Sequence, residues 1–324
     1  MRVFLTGGTG FIGGRVAAKL RERGDEVVAL VRSPNKAATL RDAGCELVEG
    51  DLTDLAAIRR GLEGADACIH AAAVYKVGIP KKERAAMHES NVTGTENVLD
   101  AAIEAGASRI LYVSTVAVFG NTKEEIVDER YKRNESEGFL SCYDETKYRS
   151  HQIAKDRIEG GAPIVIVQPG GVYGPGDHSE VGNFIEQTRT GKLRAKAFPE
   201  LGLSLVYVDD VADGILLALE KGKTGESYVL GGEIARMDDV ITKTAELSGR
   251  KPPRATLPVP LMKLSAPLGP VLGPIMGFPP NFTEAIRTSD GVTFWARHDK
   301  ATRELGYSPR DLETGLRQTL DAAA

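Results

Sequence analysis

At 324 residues, 42% of them hydrophobic, the chain is long enough for one large α/β domain with a smaller lobe and a sizeable core. Its formal net charge of -4 excludes a sequence-wide positive field, and with it a nucleic-acid backbone or an anionic membrane as main partner. Three cysteines, Cys45, Cys68 and Cys142, cannot all pair and lack metal-ligand spacing, so a small-molecule ligand, a reducing compartment and a cytoplasmic location are expected.

The first strand, "RVFLTG", runs into Gly7, Gly10 and Gly13, spaced G-x-x-G-x-x-G with Phe11 and Ile12 between them, and then into a helical pattern over 11–23. Such a turn lets backbone approach a diphosphate while the helix N-terminus attracts its charge, so this segment is expected to bind a dinucleotide. The second strand ends "ALVRSPNK". Arg32, followed by Ser33 and Lys36, stands where a carboxylate would bond a ribose diol; a guanidinium suits a 2′-phosphate instead. NADP(H) is therefore the expected cofactor, with NAD(H) left open.

Strands "CELVEG" and "ACIHAAA" and helices over 34–43, 54–62 and 84–105 continue the alternation, which is that of βαβ units around a parallel sheet covered on both faces. "RILYVST" ends in Ser114 and Thr115, hydroxyls at the carboxyl edge of the sheet. A long polar stretch, 121–141, is either a rim loop or a solvated excursion. In "CYDETKYRSHQIAKDRI", Tyr143 and Lys147 are four apart and share a helix face. A cation there would lower the phenol pKa and make Tyr143 a proton carrier.

After "APIVIVQPG" the pattern loosens, and "LSLVYVDDVADGILLALEKG" reads as a strand and helix rejoining the sheet. The expected fold is thus a doubly wound parallel (Rossmann) sheet with a smaller, interleaved C-terminal substrate lobe. Its division is 1–170 with 203–231 for the nucleotide domain, and 171–202 with 232–324 for the lobe. The apolar passage 257–280 carries seven prolines and Lys263, which favours a lid or core piece over a membrane span. The first apolar run, Val3 to Leu5, is too short for a signal segment. His70, His88, His151, His178 and His298 show no ligand spacing, so no metal is expected.

The chain closely resembles the extended short-chain dehydrogenase/reductase family, in "TGGTGFIG", "GDLTD", "HAAA", "NVTGTENVL", "VSTVAVFG", "YDETK", "QPGGVYGPGD", "VYVDDVADG" and "KATRELGYSPRDLETGL". The resemblance implies that Asp51 and Leu52 lie by the adenine and that Ala71, Ala72 and Ala73 line the cofactor groove. It likewise implies that Asn91 supports the site, and that Pro169, Gly170 and Val172 form a wall near the nicotinamide. Thr115, with Ser114 beside it, takes the place of the catalytic Ser/Thr, Tyr143 that of the acid/base, and Lys147 that of the partner to ribose and phenolate.

Nucleotide-sugar epimerases of this family carry an arginine for a second diphosphate where this chain has Leu203, and dehydratases an acidic pair where it has Val116 and Ala117. Arg194 could in principle substitute, although it reads more simply as a solvated basic turn. The departures resemble the dihydroflavonol 4-reductase-like branch and imply reduction of an aldehyde or ketone with an apolar body. Two alternatives stand beside it: a nucleotide-sugar epimerase/dehydratase, and a non-catalytic NADP(H)-binding regulatory protein. The resemblance is also compatible with a homodimer through helices 84–105 and 144–159.

Overall fold

A computed structural model describes residues 1–268 and 279–323. Seven strands, β1 (Arg2–Thr6), β2 (Glu26–Val31), β3 (Glu46–Glu49), β4 (Ala67–His70), β5 (Arg109–Val113), β6 (Ile164–Pro169) and β9 (Ser227–Leu230), form one parallel sheet. Their order is β3-β2-β1-β4-β5-β6-β9. The order reverses between β1 and β4, which opens a crevice at their carboxyl ends. Val3, Phe4 and Leu5 are wholly buried, as strands covered on both faces require.

One apolar core lies under α1 (Phe11–Glu22) and α8 (Val208–Lys221), the other under α3 (Leu55–Leu62), α5 (Gly94–Glu104) and α6 (Cys142–Glu159). Short helices α2 (Ala38–Asp42) and α4 (Lys81–His88) complete this half. The expected single helix over 84–105 is interrupted by a π-helical turn, Glu89–Thr93, that carries Asn91 inward.

A second sheet is built on β8 (Gly202–Tyr207), flanked by β7 (Gly171–Tyr173), β10 (Glu233–Arg236) and β11 (Thr293–Phe294). Here the structure corrects the sequence reading. "LSLVYV" pairs only within this smaller sheet, and the strand that closes the parallel sheet is β9, "SYVL", after α8. An apolar run reports burial on two faces but not which sheet supplies the neighbours. Helix α8 does return to the nucleotide half: Arg15–Asp209, Lys19–Asp213 and Arg23–Glu220 tie it to α1. Helices α7 (Glu180–Thr190), α9 (Met237–Leu247) and α10 (Val259–Ser265) and the C-terminal helices surround the second sheet. Of the proline-dense passage 257–280, residues 269–278 lie outside the described residues. Among the described residues no helix is long and apolar enough to cross a membrane.

The polar stretch 121–141 is a docked rim. Arg133 Nη1 and Nη2 donate to Asp144 at 2.5 and 2.8 Å, Leu140 N donates to the same carboxylate at 2.8 Å, and Thr122 N donates to Thr293 O at 2.8 Å. The Arg133 and Asp144 side chains are only 6% and 4% exposed. Removing one member of such a pair strands a buried charge, so Asp144→Ala is expected to cost about 3–5 kcal/mol. Thermal denaturation checks this; a midpoint within a degree of the parent would refute it.

Candidate active site

At the end of β1 the backbone turns through Gly7, whose φ of +78° is left-handed. A Cβ there would lie 2.7 Å from Ala72 N, and one at Gly13 would lie 2.1 Å from Gly7 O. Only glycine lets the turn close so tightly against α1 and β4. Gly10 caps α1 without a side chain, which leaves the first-turn N–H groups facing outward. A cradle bare of side chains at the dipole's positive end fits a pyrophosphate.

The turn opens onto a cleft of about 1140 Å³ lined by Gly7, Gly10, Phe11, Ile12 and Gly13, by Ala71 and Ala73, and by Pro169, Gly170 and Val172. Ser114, Thr115, Tyr143 and Lys147 line it too. The structure thus brings most of the sequence-derived positions into one cavity. Arg32, Lys36, Asp51, Leu52, Ala72 and Asn91 are not part of that lining. Ala72 donates its N–H to Thr6 Oγ1 at 3.3 Å and packs into the core under α3 and α5. Asn91 is buried and pins the chain beside the cleft: its Oδ1 accepts from Val74 N at 2.7 Å, while Nδ2 donates to Val74 O and Thr146 Oγ1.

Arg32 and Lys36, after β2, are exposed. Among the described residues neither side chain has a hydrogen bond or an ion pair; the Arg32 charge acts on Asp51 only through space. Asp51 accepts from Thr53 N and Oγ1 at 2.8 and 2.6 Å; those bonds, aided by the Arg32 charge, hold its carboxyl below the ordinary range. Leu52 is buried where Gly94 leaves it room.

Helix α6 starts at Ser141, whose Oγ accepts from Asp144 N, and so places Tyr143 in its first turn and Lys147 one turn on. The sequence expectation that Lys147 lowers the Tyr143 pKa is corrected. Burial pushes the Tyr143 phenol well up, with the Thr115 hydroxyl working against the rise. Lys147 is itself buried: its Nζ donates to Tyr112 Oη at 3.1 Å and to Val113 O at 3.0 Å, and burial pulls it down to about 7. Desolvation acts on both groups and outweighs the attraction that their spacing suggested.

Ser114 and Thr115 part company. Ser114 Oγ pairs with His151 Nδ1 at 3.0 Å, whereas Thr115 lies beside Tyr143. Two aromatic residues not anticipated from sequence complete the site. Tyr112 stacks on His70 and anchors Lys147; Tyr75 sits edge-on to Tyr143 with ring centroids 4.8 Å apart. In "LYVST", Tyr112 reads as an ordinary core residue, and no periodicity marks Tyr75. His70 is engaged by Thr6 and Thr95, and among the described residues no group of His, Cys, Asp and Glu could hold a metal.

The depressed Lys147 gives a stability signature. Its folded pKa lies below the unfolded value, so its contribution is complete above the unfolded pKa and lost as pH falls through about 7. Between pH 7 and 9 the nucleotide-free protein is therefore expected to gain about 2 kcal/mol that Lys147→Met does not. Urea titrations of both proteins at the two pH values measure the difference, and parallel pH profiles would contradict it.

The cleft's lining also includes the apolar residues Leu201, Leu203, Met237 and Phe294, with Val116 and Ala117 following Thr115 in the chain. Arg194 lies elsewhere, in a depression of about 380 Å³ with Arg250 and Lys251 near the end of α7. Among the described residues no arginine lines the cleft.

Comparison with known proteins agrees with this geometry. The profile of the NAD dependent epimerase/dehydratase family matches residues 3–231. The chain is similar to the "Putative dihydroflavonol 4-reductase" of Synechocystis sp., with 32% identity covering 97% of this chain and 92% of the relative. Similarity to the 4-hydroxy-2-methyl-3-oxo-4-farnesyl-3,4-dihydroquinoline-1-oxide ketoreductase of Stigmatella aurantiaca is 31% identity over 96% and 92% of the two chains. Among solved structures, gox2253 superposes with a TM-score of 0.84 at 34% identity, covering 99% of this chain and 97% of its own.

Proposed function

This chain belongs to the NAD-dependent epimerase/dehydratase family, and within it we propose an enzyme that uses NADP(H) to reduce the aldehyde or ketone carbonyl of a small, largely apolar substrate. The coarser assignment, an NAD(P)-dependent oxidoreductase, follows from the family and its reductase-named relatives. One observation carries the finer one: the cleft that Tyr143 and Thr115 line is also lined by Leu201, Leu203, Met237 and Phe294, with no arginine for a second diphosphate among the described residues. A nucleotide sugar's second diphosphate would meet Leu203 where an arginine would pair it.

Gly7, Gly10 and Gly13 would hold the pyrophosphate, and Arg32 with Lys36 the 2′-phosphate. When bound, the nicotinamide supplies the hydride that reduces the carbonyl carbon. Tyr143 does the acid's work. Its phenol, kept protonated at neutral pH by burial, donates to the oxygen as negative charge develops there. Thr115 donates to the same oxygen and shares that charge. Lys147, held by bonds from its Nζ to Tyr112 and Val113, would in its ammonium form have a third donor left for the cofactor. Tyr75 packs edge-on against the Tyr143 ring and helps to hold it in place. The buried free thiols Cys45, Cys68 and Cys142 suit a cytoplasmic enzyme.

The deciding experiment offers the purified protein NADPH or NADH with a panel of apolar aldehydes and ketones and, separately, UDP- and dTDP-sugars. Nicotinamide oxidation with the apolar panel is expected. Conversion of a nucleotide sugar with no turnover of the panel would replace this reading by the epimerase one.

A further inference from the structure

The segment that follows β4 is held at two points by buried polar side chains from distant parts of the chain. At Val74, N donates to Asn91 Oδ1 at 2.7 Å and O accepts from Asn91 Nδ2 at 3.0 Å. At Gly78, N donates to Glu284 Oε1 at 3.1 Å and O accepts from Asn281 N at 2.9 Å. Between these anchors run Tyr75, Lys76 and Val77, all of which line the cleft. Val77 packs against the cluster of Met262, Phe282 and Ile286, and Tyr75 meets the Tyr143 ring edge-on. The Tyr75 side chain is largely exposed, at 55%, so little packing confines it and its place on Tyr143 depends on where the backbone is fixed.

The second anchor departs from an ordinary helix start. Asn281 and Glu284 open the helix Phe282–Ser289 as "NFTE", an N-cap followed three residues later by the glutamate of a capping box. Asn281 fulfils its half, accepting through Oδ1 from Glu284 N at 3.3 Å. In a closed box the carboxylate would return to the Asn281 N–H. Here that N–H goes to Gly78 O instead, and the carboxylate goes to Gly78 N, so the backbone of Gly78 is inserted into the box. Gly78 has a left-handed φ of +74°, and a Cβ there would lie 2.6 Å from Pro279 Cβ, so glycine permits the approach.

Glu284 is 1% exposed at its side chain, and its Oε2 accepts from Arg84 Nη2 at 2.8 Å and from Asn281 Nδ2 at 3.2 Å. Burying a carboxylate costs desolvation that a hydrocarbon of like volume avoids, so stability alone is a weak reason for its presence. It does not line the cleft, and its route to the chemistry runs through Gly78 and the span 75–77.

We propose that Glu284 is a positioning residue for carbonyl reduction: by fixing Gly78 it holds Tyr75 against Tyr143 and so sets the orientation of the phenol that donates the proton. The inference rests on the carbonyl-reductase reading and adds to it a residue that touches neither substrate nor cofactor.

The test compares the parent, Glu284→Leu, Tyr75→Ala and the double variant, with NADPH and one apolar aldehyde. Each single variant is expected to lower kcat about tenfold, the scale of a displaced reacting group, while NADPH binding by fluorescence titration stays within a few-fold of the parent. The double variant is expected to match the slower single variant within about twofold, because a residue acting through Tyr75 then has nothing left to act on. A general structural loss would multiply with that of Tyr75 to about 100-fold, and this result overturns the proposal, as does a Glu284→Leu kcat equal to that of the parent. Should Glu284→Leu not fold, Glu284→Gln, which keeps an acceptor for Gly78 N, enters the same cycle with about a threefold loss expected and the same non-additivity. Losses that multiply leave the reductase reading standing, whereas no turnover of any apolar aldehyde or ketone by the parent overturns both.

Discussion

Tyr143→Phe is expected to lower carbonyl reduction about 10²–10⁴-fold while leaving nucleotide binding within a few-fold of the parent. The substitution removes one oxygen from a half-buried ring and keeps the edge-on contact with Tyr75, so the cleft retains its shape. What disappears is the phenol that stands beside Thr115, and with it the proton that must reach the developing alkoxide. Thr115 alone can share the charge but cannot neutralise it. Steady-state kinetics with an apolar aldehyde, together with titration of NADPH fluorescence, separates chemistry from binding. A variant that keeps more than a tenth of the parent kcat would remove Tyr143 from the reaction. Because burial holds the phenol protonated, the parent should keep its reductive activity throughout the neutral range and show no loss assignable to Tyr143 until well above pH 9.

Arg32→Glu should reverse the choice of nucleotide. Arg32 is exposed after β2 and has no ion-pair partner among the described residues, and Lys36 stands four residues on. Losing a charge-assisted bond and placing a carboxylate against a phosphate should change the NADPH/NADH ratio of kcat/KM by at least about 100-fold, mostly through KM. NADH should improve, because a carboxylate at that place can accept from the ribose hydroxyls. Arg32→Ala should fall between, losing NADPH without gaining NADH. Equal ratios in all three proteins would show that the free guanidinium does not meet the 2′-phosphate.

Much of the site was legible because its signals are local. A strand, three glycines at fixed spacing and a helix prescribe a turn that brings backbone to a diphosphate, and Gly7 and Gly13 stand there with no room for a side chain. Tyr143 and Lys147 had to share a helix face, since four residues make about one turn. Leu203 in place of an arginine was visible as a letter, and its place on the apolar wall agrees with that reading.

The protonation of those groups was not legible. Spacing suggested that Lys147 would acidify Tyr143; instead both are desolvated, and Tyr112, thirty-five residues from Lys147, takes one of the ammonium's donors. The sheet that β8 joins, the docking of 121–141 through Arg133 and Asp144, and the approach of Tyr75 to Tyr143 likewise depend on partners far apart in the chain.

By itself, then, the order of residues determined the βαβ architecture, the dinucleotide turn, the cation at the end of β2 and the phenol–ammonium pair, because each depends on neighbours within a few residues. Only the tertiary structure decided how those groups are charged and what they face. Burial and long-range packing set the local dielectric around Tyr143 and Lys147, and neither is a property of any short segment.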